Sequence, residues 1–204
     1  LGIIKCTPYA VMSLVAGAIA KQENLASAFK DIAFLMGGAV TAFVLHAFIF
    51  YPLLLFCTLR TNPFSYLKFL IPAQTFAFAC ASSAATLPVT LKCVERSGQV
   101  PANIRNFVLS LGSTVNMDGT ACYLPMTVKF MAVNAGLKNK LDAATYILIA
   151  IMATFGSIGT APVPSASLVI MLTTYSTAFG DDAIPSGFAY IVAIDWLMDR
   201  YGYE

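Results

Sequence analysis

The chain carries Ser82-Ser83-Ala84-Ala85-Thr86-Leu87-Pro88 in the middle of an apolar run that extends from Phe64 to Val94. The arm before this break, Phe64 to Ala79, would rise only about 24 Å as a helix, whereas the hydrocarbon core of a bilayer is about 30 Å thick. An arm that cannot cross must enter partway, turn at the polar break and leave on the same side. The stretch therefore predicts a re-entrant helical hairpin.

A second break of the same kind interrupts a later apolar run, where the chain reads Ser157-Ile158-Gly159-Thr160-Ala161-Pro162-Val163-Pro164. Each broken segment is followed by a helical run with polar residues, first Asn116-Met117-Asp118-Gly119-Thr120 and later Asp195 with Asp199. Paired, interrupted hydrophobic segments are typical of transporters built from inverted repeats, and they point to the binding site. Ordinary membrane helices that contain Gly and Pro are the alternative interpretation.

The composition favours a membrane protein over any soluble class. Of the 204 residues, 58% are hydrophobic and 11% are charged, against about 25% charged in typical soluble domains. A chain of this length has too little interior to hide that much apolar surface. The predicted segments are a transmembrane (TM) helix over 1–20, a TM helix over 32–59, the first hairpin over 63–97, a broken TM helix over 101–135, the second hairpin over 141–179 and a truncated last TM helix over 186–204.

Charge and cysteine usage exclude several functions. The net charge is +2 without a run of Lys or Arg, so no nucleic-acid partner is expected. The five cysteines lie mostly in apolar stretches without CxxC spacing and are interpreted as small hydrophobic residues. A narrow majority of basic residues puts the mouth of the first hairpin in the cytoplasm. The abrupt start at Leu1 and end at Glu204 suggest a fragment cut at both ends.

Asp118 is the strongest candidate for chemistry. It lies deep in an apolar run, where a carboxylate costs at least about 2.5–3.5 kcal/mol unless it is paired or bound to a cation. Asn116 offers an amide oxygen nearby, and Gly112 and Gly119 would let the backbone present carbonyl oxygens. Hard oxygen ligands without His or Cys suit Na⁺. A protonated aspartate with one interhelical hydrogen bond is the alternative.

Three further features have both a functional and a plain structural interpretation. Ser82-Ser83 could seat a carboxylate at a helix N-terminus, or it could only cap that helix. Asp195 and Asp199 share one helical face, which suits a nearby cation but also suits a solvated helix end. The single histidine, His46, is interpreted as a packing residue.

With these motifs in order, the chain resembles the dicarboxylate/amino acid:cation (sodium) symporter family, which includes excitatory glutamate transporters and neutral amino acid exchangers. The resemblance covers essentially the whole chain and rests on four motifs: Ala81 to Pro88, Asn116 to Ala121, Ser157 to Ala161, and Asp195-Trp196-Leu197-Met198-Asp199-Arg200. It implies an all-α polytopic membrane fold, the transport-domain half of a carrier with two re-entrant hairpins and broken TM helices in an inverted repeat.

The resemblance also implies roles for individual residues. Ser83 and the backbone near Val163 would hold the substrate's α-carboxylate, Asp199 its ammonium, and Thr120 would face its side chain, with Asp195 nearby. Sodium would be held by Gly112, Thr114, Asn116, Met117, Asp118, Ser157, Ile158 and Thr160. The second hairpin would be the extracellular gate of an elevator that slides on a trimeric scaffold absent from this chain.

Departures from the family pattern modify these expectations. Acidic-substrate members carry an arginine where Gly202 or Ala81 stands, so a neutral substrate is favoured over aspartate or glutamate. Glutamate carriers have a Glu at the position of Leu124, so proton coupling of their kind is not expected for this chain. Pro162 replaces a glycine and should stiffen the gate tip.

The predicted function is therefore a Na⁺-coupled symporter of a small amino acid, in a multi-pass protein of the plasma membrane. It would form a homotrimer in the bilayer, co-transport Na⁺ and use no organic cofactor. A degenerate, non-transporting or channel-like relative is the alternative, motivated by Pro125, Lys129 and Pro162. An intramembrane enzyme that uses Asp118 and Asp195 is disfavoured because no nucleophile–base pair or metal-binding His pair accompanies them.

Overall fold

The structure is a computed structural model that describes residues 9, 12–13, 16–17, 25–60, 62–163, 165–181, 183–185 and 187–202. The predicted TM helix over 1–20 lies mostly outside these residues, and so do Tyr203 and Glu204. In the described ranges the regular elements are helices: α1 (Leu25–Leu45), a π-helical turn (His46–Phe50), α2 (Tyr51–Leu59), α3 (Pro63–Cys80), α4 (Ser83–Ser97), α5 (Ala102–Val115), α6 (Asp118–Asn134), a 3₁₀ turn (Lys138–Lys140), α7 (Ala143–Gly159), α8 (Ser167–Phe179) and α9 (Phe188–Gly202).

The first long helical run begins at Leu25, seven residues before the predicted start at residue 32. Within it, Phe29–Leu59 has a mean hydropathy of 2.1 and is the one helix in the described part of the chain long and apolar enough to cross a membrane. Large apolar side chains such as Phe34 and Phe48 point outward along it. Such exposure is expected where lipid is the solvent.

Helices α3 and α4 form a hairpin joined by Ala81 and Ser82, and they pack against each other along their length. The 18 residues of α3 rise about 27 Å, so this arm is shorter than a bilayer core. The turn is tight because Ala81 adopts a left-handed conformation with φ of 47°. The turn is also shorter than the predicted break, which ran from Ser82 to Pro88, because α4 already begins at Ser83 and contains Pro88.

The centre of the molecule is α6, which packs against α1, α7, α8 and α9. Leu124, Val128, Met131 and Ala132 on this helix are completely buried. Since α6 begins at Asp118, the core holds the predicted cation ligand at the end of a well-packed helix. Helices α7 and α8 form the second hairpin, and their connection is Thr160 to Ala166.

Candidate functional site

The first hairpin tip is held by its two serines. Ser82 caps α4 by accepting a hydrogen bond from the backbone N–H of Ala85, and its hydroxyl donates to the carbonyl oxygen of Pro162 at 2.9 Å. Ser83 donates its hydroxyl to the carbonyl oxygen of Ser113 on α5 at 3.1 Å. The cap interpretation therefore holds for Ser82, which is also a contact between the two hairpins, and the carboxylate seat stays a prediction.

Two residues, Asn116 and Met117, separate α5 from α6. The side-chain amide of Asn116 donates to the Asp118 carboxylate at 3.0 Å. The backbone N–H of Met117 donates to the hydroxyl of Ser157 on α7 at 3.1 Å. The buried Ser157 hydroxyl of the second hairpin thus accepts a hydrogen bond from a backbone N–H that the helix break leaves free. Backbone groups inside a membrane need such partners.

The second tip lies against α9. Its residue Ser165 has a φ of 60° and donates its backbone N–H to the Asp199 carboxylate. Thr160, at the start of the tip, is buried and donates its hydroxyl back to Gly156 at 2.6 Å. Val163 is 48% exposed, so its side chain does not contribute to the enclosed part of the site.

Helix α9 presents its two aspartates in different surroundings. Asp195 is 1% exposed, and its two carboxylate oxygens have no hydrogen-bond partner among the described residues, although Ser165 lies nearby. Asp199, one turn further on, is half-buried and meets the second tip. At the end of this helix Gly202 closely approaches Gly119, and a Cβ atom built on Gly119 would overlap the Gly202 carbonyl.

These elements enclose a cavity of about 350 Å³ between the two tips, the α5–α6 break and α9. Its described lining contains the carboxylates of Asp118 and Asp199 and no Lys or Arg. Hydroxyl and amide groups supply the remaining polar lining. A cavity with two carboxylates and no cation of its own suits positively charged guests, such as metal ions and an ammonium group.

The structure brings most of the predicted site residues to this cavity. Those that line it are Ser83, Thr120, Asp199, Gly112, Asn116, Met117, Asp118 and Thr160. Those that do not line it are Val163, Asp195, Thr114, Ser157 and Ile158. Of this second group, Ser157 still touches the site through its bond to Met117, whereas Thr114 and Ile158 are exposed.

Sequence reasoning missed several residues of the site. Gln74, Thr86 and Tyr123 line the cavity, and the polar Gln74 within an apolar arm was a signal that could have found one of them. Ser165 carries no local signal, because its role depends on a contact with another helix. His46 stacks on Phe50 with ring centroids 5.0 Å apart, as its packing interpretation requires, and it also lies within electrostatic range of Asp118.

Comparison with known proteins gives one consistent answer. The sequence profile of the Sodium:dicarboxylate symporter family matches residues 2–202. The chain is 38% identical to mouse Excitatory amino acid transporter 3 over 201 residues, which are 98% of this chain and 37% of that protein. It is 37% identical to a Caenorhabditis elegans Excitatory amino acid transporter over 195 residues, 95% of this chain and 38% of that protein. It is 36% identical to human Excitatory amino acid transporter 2 over 195 residues, 95% of this chain and 33% of that protein.

The chain thus spans 33–38% of the length of these relatives. The family resemblance expected from the four motifs is confirmed. By this match over nearly its whole length, the chain belongs to the sodium:dicarboxylate symporter family.

Proposed function

We propose that this chain is the transport-domain part of a secondary active symporter that moves a small amino acid together with Na⁺. The single observation that carries the proposal is the cavity between the two hairpin tips, with Asp118 at one wall and Asp199 at another. An amino acid brings one ammonium group and one carboxylate. Two cavity carboxylates can therefore be balanced by one Na⁺ and one ammonium, while the substrate carboxylate needs hydrogen-bond donors.

The donors for that carboxylate come from the hairpin tips. Ser83 lines the cavity at the N-terminus of α4, where free backbone N–H groups and the helix dipole favour an anion. A backbone N–H near Val163 completes this part of the proposed site. Asp199 receives the ammonium, with Asp195 one turn behind it, and Thr120 faces the substrate side chain.

Sodium is proposed to bind at the α5–α6 break and at the second tip. Asp118, Asn116 and Thr160 lie at the cavity wall, and the last turn of α5 would offer the carbonyl oxygens of Gly112 and Thr114. The last turn of α7 would add carbonyl oxygens at Ser157 and Ile158, beside Met117. Oxygen-rich surroundings of this kind suit a hard monovalent cation.

A neutral substrate is favoured over aspartate or glutamate. The relatives are named excitatory amino acid transporters, but the described lining of this cavity has no cationic side chain. Gly202 lines the cavity without a side chain, and Ala81 is buried in the first tip. A second substrate carboxylate would enter without a partner, and burying such a charge is costly.

The mechanism proposed for the whole protein is an elevator. The two hairpins, the broken helix and α9 move together against a trimeric scaffold formed by chain segments outside these residues, in the plasma membrane. The second hairpin is the gate, since its tip closes on the first through the bond between Ser82 and Pro162. A channel-like relative is the competing function, favoured by a proline at this tip.

The test is uptake into liposomes that contain the full-length parent protein. Labelled alanine, serine, aspartate and glutamate are supplied with and without an inward Na⁺ gradient. The proposal expects concentrative alanine or serine uptake that requires the gradient. Uptake indifferent to sodium would reject symport, and ion currents without amino acid flux would support the channel-like alternative.

A further inference from the structure

The mouth of the first hairpin carries positive charges without acidic partners. Between residues 32 and 117 the sequence has five basic residues and one acidic residue, Glu95. Glu95 pairs with Arg105 on α5 at 3.2 Å, which is the one ion pair between side chains in the described part of the chain. The other four basic side chains are exposed, and we call them the basic cluster: Arg60, Lys68, Lys92 and Arg96.

The fold gathers the basic cluster at one end of the hairpin. Helices α3 and α4 run antiparallel from the tip and pack along their length. Lys68 on α3 and Arg96 on α4 both lie about 20 Å from the tip, by the helical rise of ~1.5 Å per residue. Lys92 is one turn before Arg96 on the same face of α4. Arg60 directly follows α2, close to the start of α3.

An exposed apolar belt adjoins the basic cluster. Leu59, Phe64 and Phe69 are exposed, and each lies within four residues of Arg60 or Lys68. Apolar side chains of this size belong in lipid, whereas long basic side chains beside them extend their charged ends to the membrane surface. The basic cluster therefore lies where the hydrocarbon core meets the headgroups. The anions present at that depth are lipid phosphates.

The opposite end of the molecule has a different charge pattern. Its described basic residues are accompanied by an equal number of acidic ones, and the six are Lys30, Lys138, Lys140, Asp31, Asp142 and Asp181. An anionic headgroup at this end would meet carboxylates as well as cations. The excess of positive charge is therefore specific to the mouth of the first hairpin, and the opposite end supplies a matched control.

We propose that the basic cluster binds the headgroup of an anionic phospholipid. Four cations that no described carboxylate neutralises attract a headgroup with a net negative charge more strongly than one with no net charge. The guanidinium groups of Arg60 and Arg96 can each donate two parallel hydrogen bonds to a phosphate. This inference goes beyond the proposed function and does not depend on it, because it concerns only which lipid the hairpin mouth recruits.

The native thiol of Cys57 provides a local probe. Cys57 is exposed on α2, one turn before Arg60, and it is labelled with a bimane fluorophore in the full-length protein. Subtracting the signal of a Cys57→Ser variant leaves the emission from this position. The protein is placed in vesicles of about one part phosphatidylglycerol to nine parts phosphatidylcholine, with bromine atoms on the acyl chains of one lipid or the other, in both leaflets. The quenching per brominated molecule then gives the local enrichment of phosphatidylglycerol.

The unaltered protein should enrich phosphatidylglycerol beside Cys57. The double variant Lys92→Gln with Arg96→Gln should lower this enrichment about fivefold, which corresponds to ~1 kcal/mol. Raising choline chloride from about 0.05 M to about 0.5 M should also lower it, because salt screens exposed charges. The matched control, Lys138→Gln with Lys140→Gln, removes two exposed cations at the opposite end and should leave the enrichment unchanged.

Equal quenching by the two brominated lipids in the unaltered protein would overturn the proposal. An enrichment that survives the loss of Lys92 and Arg96 would also overturn it. Inorganic phosphate separates a free anion from a lipid headgroup: if it abolishes the enrichment where chloride of equal ionic strength does not, a free anion is the preferred occupant and the lipid proposal fails. None of these readouts uses amino acid uptake, so they decide the lipid proposal whether or not the parent protein transports.

Discussion

The hydroxyl of Ser82 donates a 2.9 Å hydrogen bond to the carbonyl oxygen of Pro162, and this bond joins the tips of the two hairpins. The same oxygen of Ser82 accepts from the N–H of Ala85 and caps α4. One side chain therefore serves both helix stability and tip contact. Pro162 has no backbone N–H to donate, but its carbonyl oxygen can still accept the hydrogen bond from Ser82.

Replacing Ser82 with alanine should loosen the closed tips. The change removes the contact to Pro162 and the cap of α4, whose loss typically costs about 1 kcal/mol. We expect faster leak of labelled alanine from preloaded liposomes and a lower melting temperature in detergent. Asp142→Ala is the matched control, because Asp142 caps α7 through the N–H of Thr145 at 2.9 Å. It should lower the melting temperature without raising the leak, and equal leak in both variants would contradict the role of the tip contact.

Asp118→Asn should weaken sodium dependence. The substitution keeps the size of the side chain and removes the negative charge at the α5–α6 break. We expect at least a tenfold rise in the Na⁺ concentration for half-maximal uptake, since each ~1.4 kcal/mol of lost binding free energy is a factor of ten. Asp31→Asn, which removes a charge from an exposed position of α1, should leave this value unchanged. A Na⁺ dependence that does not shift in Asp118→Asn would remove Asp118 from the ion site.

Small polar residues and prolines inside apolar runs are a local signal, and the helices of the structure are interrupted in those regions, at Ala81–Ser82, at Asn116–Met117 and after Gly159. That the two hairpins are re-entrant stays a prediction. The exact turns were less predictable. Pro88 lies inside α4 at an exposed position, and membrane helices tolerate such a proline where neighbouring groups satisfy the freed carbonyl. Helix α7 continues to Gly159 before the second tip begins. Local periodicity says nothing of contacts such as Ser83 with Ser113 or Ser165 with Asp199, since these depend on how separate helices pack.

Gly119→Ala should destabilise the junction of α6 and α9. A Cβ atom there would overlap the backbone of Gly202, and backbone cannot move aside as a flexible side chain can. Overpacking of this kind costs about 1–3 kcal/mol, so we expect a lower melting temperature and reduced uptake. Gly37→Ala is the control, because a Cβ atom on Gly37 in α1 meets nothing within 4 Å. That change should be neutral or slightly stabilising, as alanine favours helix. A stable Gly119→Ala variant would show that the two helices do not need this close approach.

Gly202→Arg should shift the substrate preference towards acidic amino acids. Position 202 is seven residues after Asp195, two helical turns along the same face of α9, and Gly202 lines the cavity. A Cβ atom there meets Gly119 and Phe43 at 3.6 Å, which is ordinary contact, so the side chain can start without a clash. Asp199, three residues earlier, also lines the cavity, so a guanidinium at position 202 would lie near this carboxylate and could present N–H groups to a substrate carboxylate.

We expect the ratio of aspartate to alanine uptake under a Na⁺ gradient to rise at least tenfold in Gly202→Arg. Gly202→Gln is the matched control, because it adds a long polar side chain without the charge, and it should not raise the ratio. The charge is decisive because a second substrate carboxylate otherwise enters a cavity that already holds two acidic groups. If Gly202→Arg carries alanine as before and still excludes aspartate, the missing cation at position 202 is not what sets the preference for a neutral substrate.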